Sequence, residues 1–228
     1  MTSIIQAKNI HRTFGKGPLE THVLKGIDIT IEEGEFVGIM GKSGAGKSTL
    51  MYQLSVLDRP TDGEILIDDV DVLGLSEKEQ TTFRLHTLGY VFQDYALVPD
   101  LDARENVMMP LLMRGIPWNE ARAKADTSLD SVELKDKYTN LPAELSGGEQ
   151  QRVAIARAIA GDPKIIFADE PTANLDTVSG THVIELLTKL HNEQGLTIVM
   201  VTHEYEYAQN CNRIIYIEDG TVVSKQTQ

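Results

Sequence analysis

The chain is poor in the features that mark exported, membrane-spanning or nucleic-acid-bound proteins. It has one cysteine, Cys211. A disulfide within the chain is therefore excluded, and a reducing, cytoplasmic compartment is the simple expectation. No apolar run approaches the roughly 20 residues that cross a bilayer. The opening MTSIIQAKNIHR lacks the charged-then-apolar layout of a secretory signal. Positive charge is also scarce: 21 Lys and Arg stand against 34 Asp and Glu, a formal net charge of −13. That balance argues against free binding to nucleic acid, which requires a basic face, and against direct adsorption to anionic lipid. Internal repeats and low-complexity tracts are missing as well.

What remains is an ordinary globular composition over 228 residues, 41% hydrophobic and 24% charged, enough for one large domain or two small lobes sharing a core. SIIQAKNI has strand character, and THVLKGIDITI alternates apolar and polar residues from Val23 to Ile31. EFVGIM reads as a buried strand between Gly34 and Gly41, followed by a helix from about Gly46 to Leu57. GEILIDD and LGYVFQ are further strands. From about Asp94 to Ala160 the spacing becomes helical, in ARENVMMPLLMRG, PWNEARAKADTSLDSV and GGEQQRVAIARAIA, with Pro110 and Pro117 as punctuation. KIIFAD, LTIVMV and RIIYIEDG restore the strand pattern, with a helix near Thr177–Asn192, and the tail after Gly220 is too short for an extra domain. The expected fold is α/β: a P-loop core with a mainly parallel sheet, an antiparallel N-terminal β subdomain, and an inserted helical subdomain. The expected boundaries are residues 1–93 and 161–228 for the core and 94–160 for the helical insert, within a single domain.

GKSGAGKST fits G-x-x-x-x-G-K-[ST] at Gly41, Gly46, Lys47 and Ser48, between an apolar strand and a helix as that motif requires. Its glycines let backbone wrap around phosphates, Lys47 can reach the β- and γ-phosphates, and the Ser48 hydroxyl can ligate Mg²⁺. KIIFADEPT puts Asp169 and Glu170 at a strand end, where Asp169 can help hold Mg²⁺ and Glu170 can polarise a water for in-line attack on the γ-phosphate. His203 follows the strand LTIVMV and can sense the γ-phosphate, and Gln93 ends LGYVFQ, offering an oxygen to Mg²⁺ or to the attacking water. A second anion site stands at LSGGEQ, where a serine and two glycines open a helix.

In this order, GKSGAGKST, Gln93, LSGGEQ, IIFADEPT, ANLD and His203 resemble the ATP-binding subunit of an ABC transporter over essentially the whole chain. The resemblance implies an ATP hydrolase. It assigns Gly41, Lys42, Ser43, Gly44, Ala45, Gly46, Lys47, Ser48 and Thr49 to the Walker A loop and Gln93 to the Q-loop. Ser146, Gly147, Gly148 and Glu149 fall in the signature. Ile165 to Asp169 form Walker B, with Glu170 as catalytic base, Ala173 to Asp176 form the D-loop, and His203 is the switch histidine. Phe14, in HRTFG, stands where the family stacks an aromatic on adenine; a core phenylalanine is the competing reading. VLDRPTDGEI, LGYVFQDYALVPDLDARENVMMPLLMRG and ADEPTANLD are similar to the lipoprotein-releasing, macrolide-efflux and cell-division group. Ala168 stands where polar amino-acid importers carry phenylalanine, Glu149 where many members have Gln, and Glu204 where this group often has Asp.

The resemblance further implies a homodimer formed head to tail on binding ATP and Mg²⁺, each nucleotide lying between Walker A of one copy and the signature of the other. Permease subunits in the cytoplasmic (inner) membrane would dock near the Q-loop and helical lobe, with Tyr95, Leu97 and Val98 either lining the dock or packing within the lobe. Membrane contact would run only through that permease, and no nucleic acid is expected. Two alternatives share the motifs. One is a signalling ATPase whose membrane partner controls a cell-wall enzyme without moving substrate. The other is a soluble ATPase acting on DNA or ribosomes, which the acidic charge and the lack of a coiled-coil or zinc insertion disfavour.

Overall fold

The structure, a computed structural model, describes residues 2–223. In chain order the elements are β1 (Ser3–Phe14), β2 (Thr21–Glu32), β3 (Phe36–Met40), α1 (Lys47–Leu54), β4 (Asp62–Ile67), β5 (Val70–Asp71), α2 (Glu77–Thr87), β6 (Leu88–Val91), α3 (Ala103–Met113), α4 (Trp118–Ser131), α5 (Gly147–Ile159), β7 (Ile165–Asp169), α6 (Thr177–Gln194), β8 (Thr197–Val201), α7 (Tyr205–Ala208), β9 (Arg213–Glu218) and β10 (Thr221–Val223). They fall into two compact units. One holds the described residues up to Thr81 and those from Gly195; the other is Thr82–Gln194.

In the first unit, β1 pairs antiparallel with β2 on one side and β4 on the other, and β4 turns back into β5. The β4–β5 turn uses Asp68 and Asp69, both with positive φ, the conformation that matches a two-residue hairpin. GEILIDD therefore contributes its last two residues to the turn and not to the strand. β1 runs past the apolar stretch SIIQAKNI because of a bulge. Its pairing slips between Ala7 and Ile10, and Asn9 lies at φ 51. The extra residue moves the buried side from odd to even positions, so Ile5 and Ala7 are followed inward by Ile10.

The same unit contains a second set of strands. β3 pairs parallel with both β8 and β9, and β10 pairs antiparallel with β9. Every residue of β3 and β8 is buried. That is why EFVGIM and LTIVMV read as continuous apolar runs without alternation. β10 lies in the segment that the sequence treats as a short tail; the rest of that tail lies outside the described residues. Helix α1 ends at Leu54, earlier than Leu57, because Val56 turns to φ 61.

The second unit pairs β6 with β7 in parallel and packs α3, α4, α5 and α6 with them. Between residues 94 and 160 the regular elements are all helical, as the spacing implies. Asp102 and Glu105 form a reciprocal cap at the start of α3. The helix continues through Pro110 to Met113, so this proline does not end it, whereas Pro117 stands immediately before α4. Helix α2 has no counterpart among the apolar-periodic segments. Its signal was the cap: Ser76 donates its N–H to Glu79 Oε2 at 2.9 Å, and Glu79 N–H returns to Ser76 Oγ at 3.4 Å.

Candidate functional site

The Walker A loop links the C-terminal end of β3 to α1. A Cβ at Gly41 would lie 2.2 Å from the carbonyl oxygen of Ile217, and one at Gly46 3.0 Å from Leu24 Cδ2. Gly46 also sits at φ 101, which side-chain-bearing residues rarely adopt. The loop thus passes close to its own sheet, and Gly220 N–H donates to the Ala45 carbonyl at 3.2 Å to fix it from behind. Gly46 caps α1 without a side chain, so no side-chain acceptor is supplied to the first-turn N–H groups. Lys47 is 7% exposed, and its ammonium donates to the Lys42 carbonyl at 3.2 Å. Lys42, Ser43 and Gly44 are exposed, while Ser48 and Thr49 are half-buried on the first turn of α1.

An array of outward backbone donors, a helix N-terminus and a lysine held over the loop suits a polyphosphate. Ser48 in the first unit, and Gln93 and Asp169 in the second, each carry an oxygen donor of the kind a hard ion such as Mg²⁺ takes. Among the described residues no group of three or more His, Cys, Asp or Glu forms a metal cluster.

His203 is exposed just beyond β8. The β3–β8 register, with Ile39 opposite Val201, brings it out at the same sheet end as the Walker A loop. Phe14 is 44% exposed at the end of β1, which removes the core-phenylalanine reading. The Arg12 guanidinium lies 4.4 Å from its ring centroid and is paired with Asp58 at 2.7 Å.

In the second unit, Asp169 is the buried last residue of β7 and Glu170 follows at φ 43. A non-glycine residue in that region is held by its surroundings, a condition common at functional sites. The Ala173 N–H closes the turn onto the Glu170 carbonyl at 3.1 Å. Asp176 caps α6 by accepting from Ser179 N–H at 3.0 Å and Ser179 Oγ at 2.8 Å; the backbone bond, then the hydroxyl, lowers its pKa. Gln93 is exposed, and its carbonyl accepts from Asn174 Nδ2 at 3.0 Å.

The signature forms the start of α5. Ser146 Oγ accepts from Glu149 N–H at 3.3 Å, and Glu149 Oε2 accepts from Ser146 N–H at 2.8 Å. Lys137 adds an ion pair at 3.2 Å. The bond from Ser146 N–H is the main reason the Glu149 carboxyl lies below its ordinary pKa. Glu149 is thus engaged in closing the cap, which leaves the N–H groups of half-buried Gly147 and buried Gly148 as the first-turn donors without a helix-internal acceptor. Sequence reasoning missed the side chains that brace this arrangement. Buried Gln151 donates to the carbonyl of Pro171 at 2.8 Å, and Arg157 donates to the carbonyl of Tyr95 at 2.7 Å. Both lie on α5 at helical spacing from the signature, but their acceptors are backbone carbonyls, which no residue pattern announces.

The phosphate loop, the acid pair ending β7 and the glycine-opened helix α5 define the class: a P-loop ATPase of the ABC type. The comparisons with known proteins agree. The ABC transporter family matches residues 24–173. The chain is 44% identical to the lipoprotein-releasing system ATP-binding protein LolD of Syntrophus aciditrophicus, covering 97% of this chain and 99% of that one. It is 46% identical to the macrolide export ATP-binding/permease protein MacB of Neisseria meningitidis serogroup B, covering 97% of this chain but only 34% of the relative. A solved structure described as a dimeric post-hydrolysis state of the ATP-binding cassette MJ0796 with ADP and Pi superposes with a TM-score of 0.90 at 43% identity, over 97% of each chain. The chain belongs to the ABC transporter family, and it is an ATPase subunit of that family.

Proposed function

We propose that this subunit works as a homodimer closed head to tail around two Mg-ATP, driving a membrane permease of the lipoprotein-release or macrolide-efflux type. The observation that carries this reading is the first turn of α5. Its serine and glutamate cap each other, and the N–H of half-buried Gly147, at the positive end of the helix, remains to meet an anion. That turn is a second phosphate-binding device besides the Walker A loop, and a dimeric cassette with ADP and Pi among the structural relatives supports a shared role for the two.

In this reading Gly41 to Thr49 wrap the phosphates, Lys47 neutralises the β- and γ-phosphates, and Phe14 stacks on the adenine. Ser48, Gln93 and Asp169 would hold the magnesium, which would supply positive charge to offset that of the phosphates. Glu170 takes the proton of the attacking water, and His203 bonds the γ-phosphate. Ser146, Gly147 and Gly148 of one copy meet the nucleotide of the other, and Asp176 orders the segment beside them. Docking to the permease falls to the helical part. There a groove of about 380 Å³ is lined by Leu101, Met108, Met109, Leu112, Met113 and Trp118, with Glu105 as its one charged residue. The occupant proposed for it is an apolar cytoplasmic segment of the permease, since MacB joins ATP-binding and permease parts in one polypeptide. No helix among the described residues is long and apolar enough to cross a membrane; in this reading the permease holds the subunit at the cytoplasmic face of the membrane.

The test is Glu170→Gln with ATP and magnesium. Turnover should fall by at least about 100-fold, as for loss of a general base. A dimer should also accumulate in light scattering. Normal hydrolysis by this variant would remove Glu170 from its role, and a monomer at saturating ATP would remove the closed dimer.

A further inference from the structure

The segment after Gln93 makes an unusual turn. Tyr95 and Ala96 are both left-handed, at φ 63 and φ 47. Two consecutive non-glycine residues in that region need external support. Arg157 of α5 supplies it, donating its two terminal nitrogens to the Ala96 and Tyr95 carbonyls. The turn aims the Tyr95 side chain into the unit, where its hydroxyl donates to the Asn174 carbonyl at 3.3 Å. The same oxygen lies 2.9 Å from where a Cβ on Gly147 would stand. Asn174 in turn donates its side-chain amide to the Gln93 carbonyl at 3.0 Å. The Tyr95 hydroxyl therefore touches the D-loop and the first helical residue of the signature, and it belongs to the segment that carries Gln93.

We propose that Tyr95 is a positioning residue that holds the signature glycine Gly147 and the D-loop carbonyl of Asn174 in one fixed arrangement, so that the segment following Gln93 and the surface presented to the second subunit shift together. The inference rests on the head-to-tail dimer reading. Two connections made by the half-buried Tyr95 side chain, to Asn174 and against Gly147, and a third made by the Asn174 side chain to Gln93, give the glutamine segment a mechanical link to the signature that does not pass through bound nucleotide. Tyr95 is thus directed inward, toward Gly147 and Asn174. The geometry also assigns a steric reason for glycine at 147: a methyl group there would collide with the Tyr95 hydroxyl, while the other near neighbour, Leu175 Cδ2, lies at 3.3 Å.

The experiment uses the full chain with Glu170→Gln as the parent, so that dimers persist. Dimerisation is followed by light scattering across an ATP titration, and nucleotide binding to the single subunit by fluorescence titration with an ADP analogue. Tyr95→Phe removes only the hydroxyl. It should weaken ATP-dependent dimerisation about three- to tenfold, the value of one hydrogen bond, while ADP-analogue affinity stays within about twofold. In the parent with Glu170 restored, kcat should fall without a matching change in KM. Gly147→Ala should weaken dimerisation further, and adding Tyr95→Phe should recover part of that loss, because the colliding oxygen is gone. Unchanged dimerisation in Tyr95→Phe, or a double variant no better than Gly147→Ala alone, would overturn the proposal. A parent that forms no ATP-dependent dimer would bring down the dimer reading itself, and this inference with it.

Discussion

Gly148 of α5 lies against Ser179 of α6: a Cβ on Gly148 would lie 3.0 Å from Ser179 Cβ and 3.1 Å from Ser179 Oγ. The helix bearing the signature thus sits against the first turn of the helix that Asp176 caps, and Ser179 is the very residue through which that cap is made. Gly148→Ala should force the two helices apart. Overpacking of this kind costs about 1–3 kcal/mol, read as a lower midpoint in denaturant unfolding. Because Ser179 would move, the D-loop cap would loosen too, and hydrolysis should fall more than the stability loss alone predicts. An unfolding midpoint equal to that of the parent would show that the helices yield freely.

The cap at the signature carries a pH signature. The Glu149 carboxyl is shifted below its ordinary value of 4.5, first by the Ser146 N–H bond, with Lys137 adding to it. A carboxylate with a depressed folded pKa contributes stability above its unfolded pKa, and that contribution disappears as pH falls through the lower folded value. Glu149→Gln keeps the shape and an acceptor oxygen but not the charge. The melting temperature of the variant should lie below that of the parent at pH 7, and the gap should narrow as pH drops below about 4.5. A gap independent of pH would mean the charge contributes nothing to the cap.

Phe14 offers a separation of binding from folding. It is exposed, so Phe14→Ala should change stability by no more than about 0.5 kcal/mol. Loss of a base-stacking aromatic costs about 1–3 kcal/mol, so ATP affinity should drop at least fivefold, while kcat at saturating ATP stays near the parent value. Calorimetric titration with ATP measures the first and steady-state hydrolysis the second. Unaltered affinity would show that the adenine lies elsewhere.

Much of the fold was legible because burial imposes residue type. β3, β7 and β8 are buried throughout, and a strand covered on both faces is apolar along nearly its whole length, with Asp169 and Thr197 as the polar ends of β7 and β8, so EFVGIM, KIIFAD and LTIVMV stand out. The Walker A glycines were legible for a related reason: Gly41 and Gly46 have no room for a Cβ. The bulge at Asn9 and the left-handed pair Tyr95–Ala96 were not legible. Their conformations are imposed by hydrogen bonds from distant residues, and neither asparagine, tyrosine nor alanine is restricted to that region by its own sterics. Helix α2 was missed for a simpler reason. It buries only Gln80 among its residues, so it has no apolar period to display.

Asn106 shows how a single buried polar residue can shape the segment that follows Gln93. It is fully buried on α3. Its Nδ2 donates to the carbonyls of Val98, Leu101 and Asp102 at 3.1, 2.9 and 3.0 Å, and its Oδ1 accepts from Val98 N–H at 2.8 Å. Residues 98–102 contain no regular element, so these bonds stand in for the backbone partners that a strand or helix would provide. Asn106→Leu keeps the branching and the number of heavy atoms, in a somewhat larger side chain, but offers no polar atom. It would take the partner from the Val98 N–H and from the Leu101 carbonyl, at about 1–3 kcal/mol for each group that cannot reach water, while the Val98 and Asp102 carbonyls keep the backbone N–H groups of Leu101 and Asn106. We expect a total loss of about 2–5 kcal/mol in denaturant unfolding and faster amide exchange at Val98, whose N–H loses its acceptor. Asn106→Asp should recover the exchange protection of Val98, since a carboxylate oxygen still accepts there, but not the stability, since its other oxygen would face the Leu101 and Asp102 carbonyls. If Val98 exchanged at the parent rate in Asn106→Leu, the segment would be held by the rest of the helical packing and Asn106 would be a passenger within it.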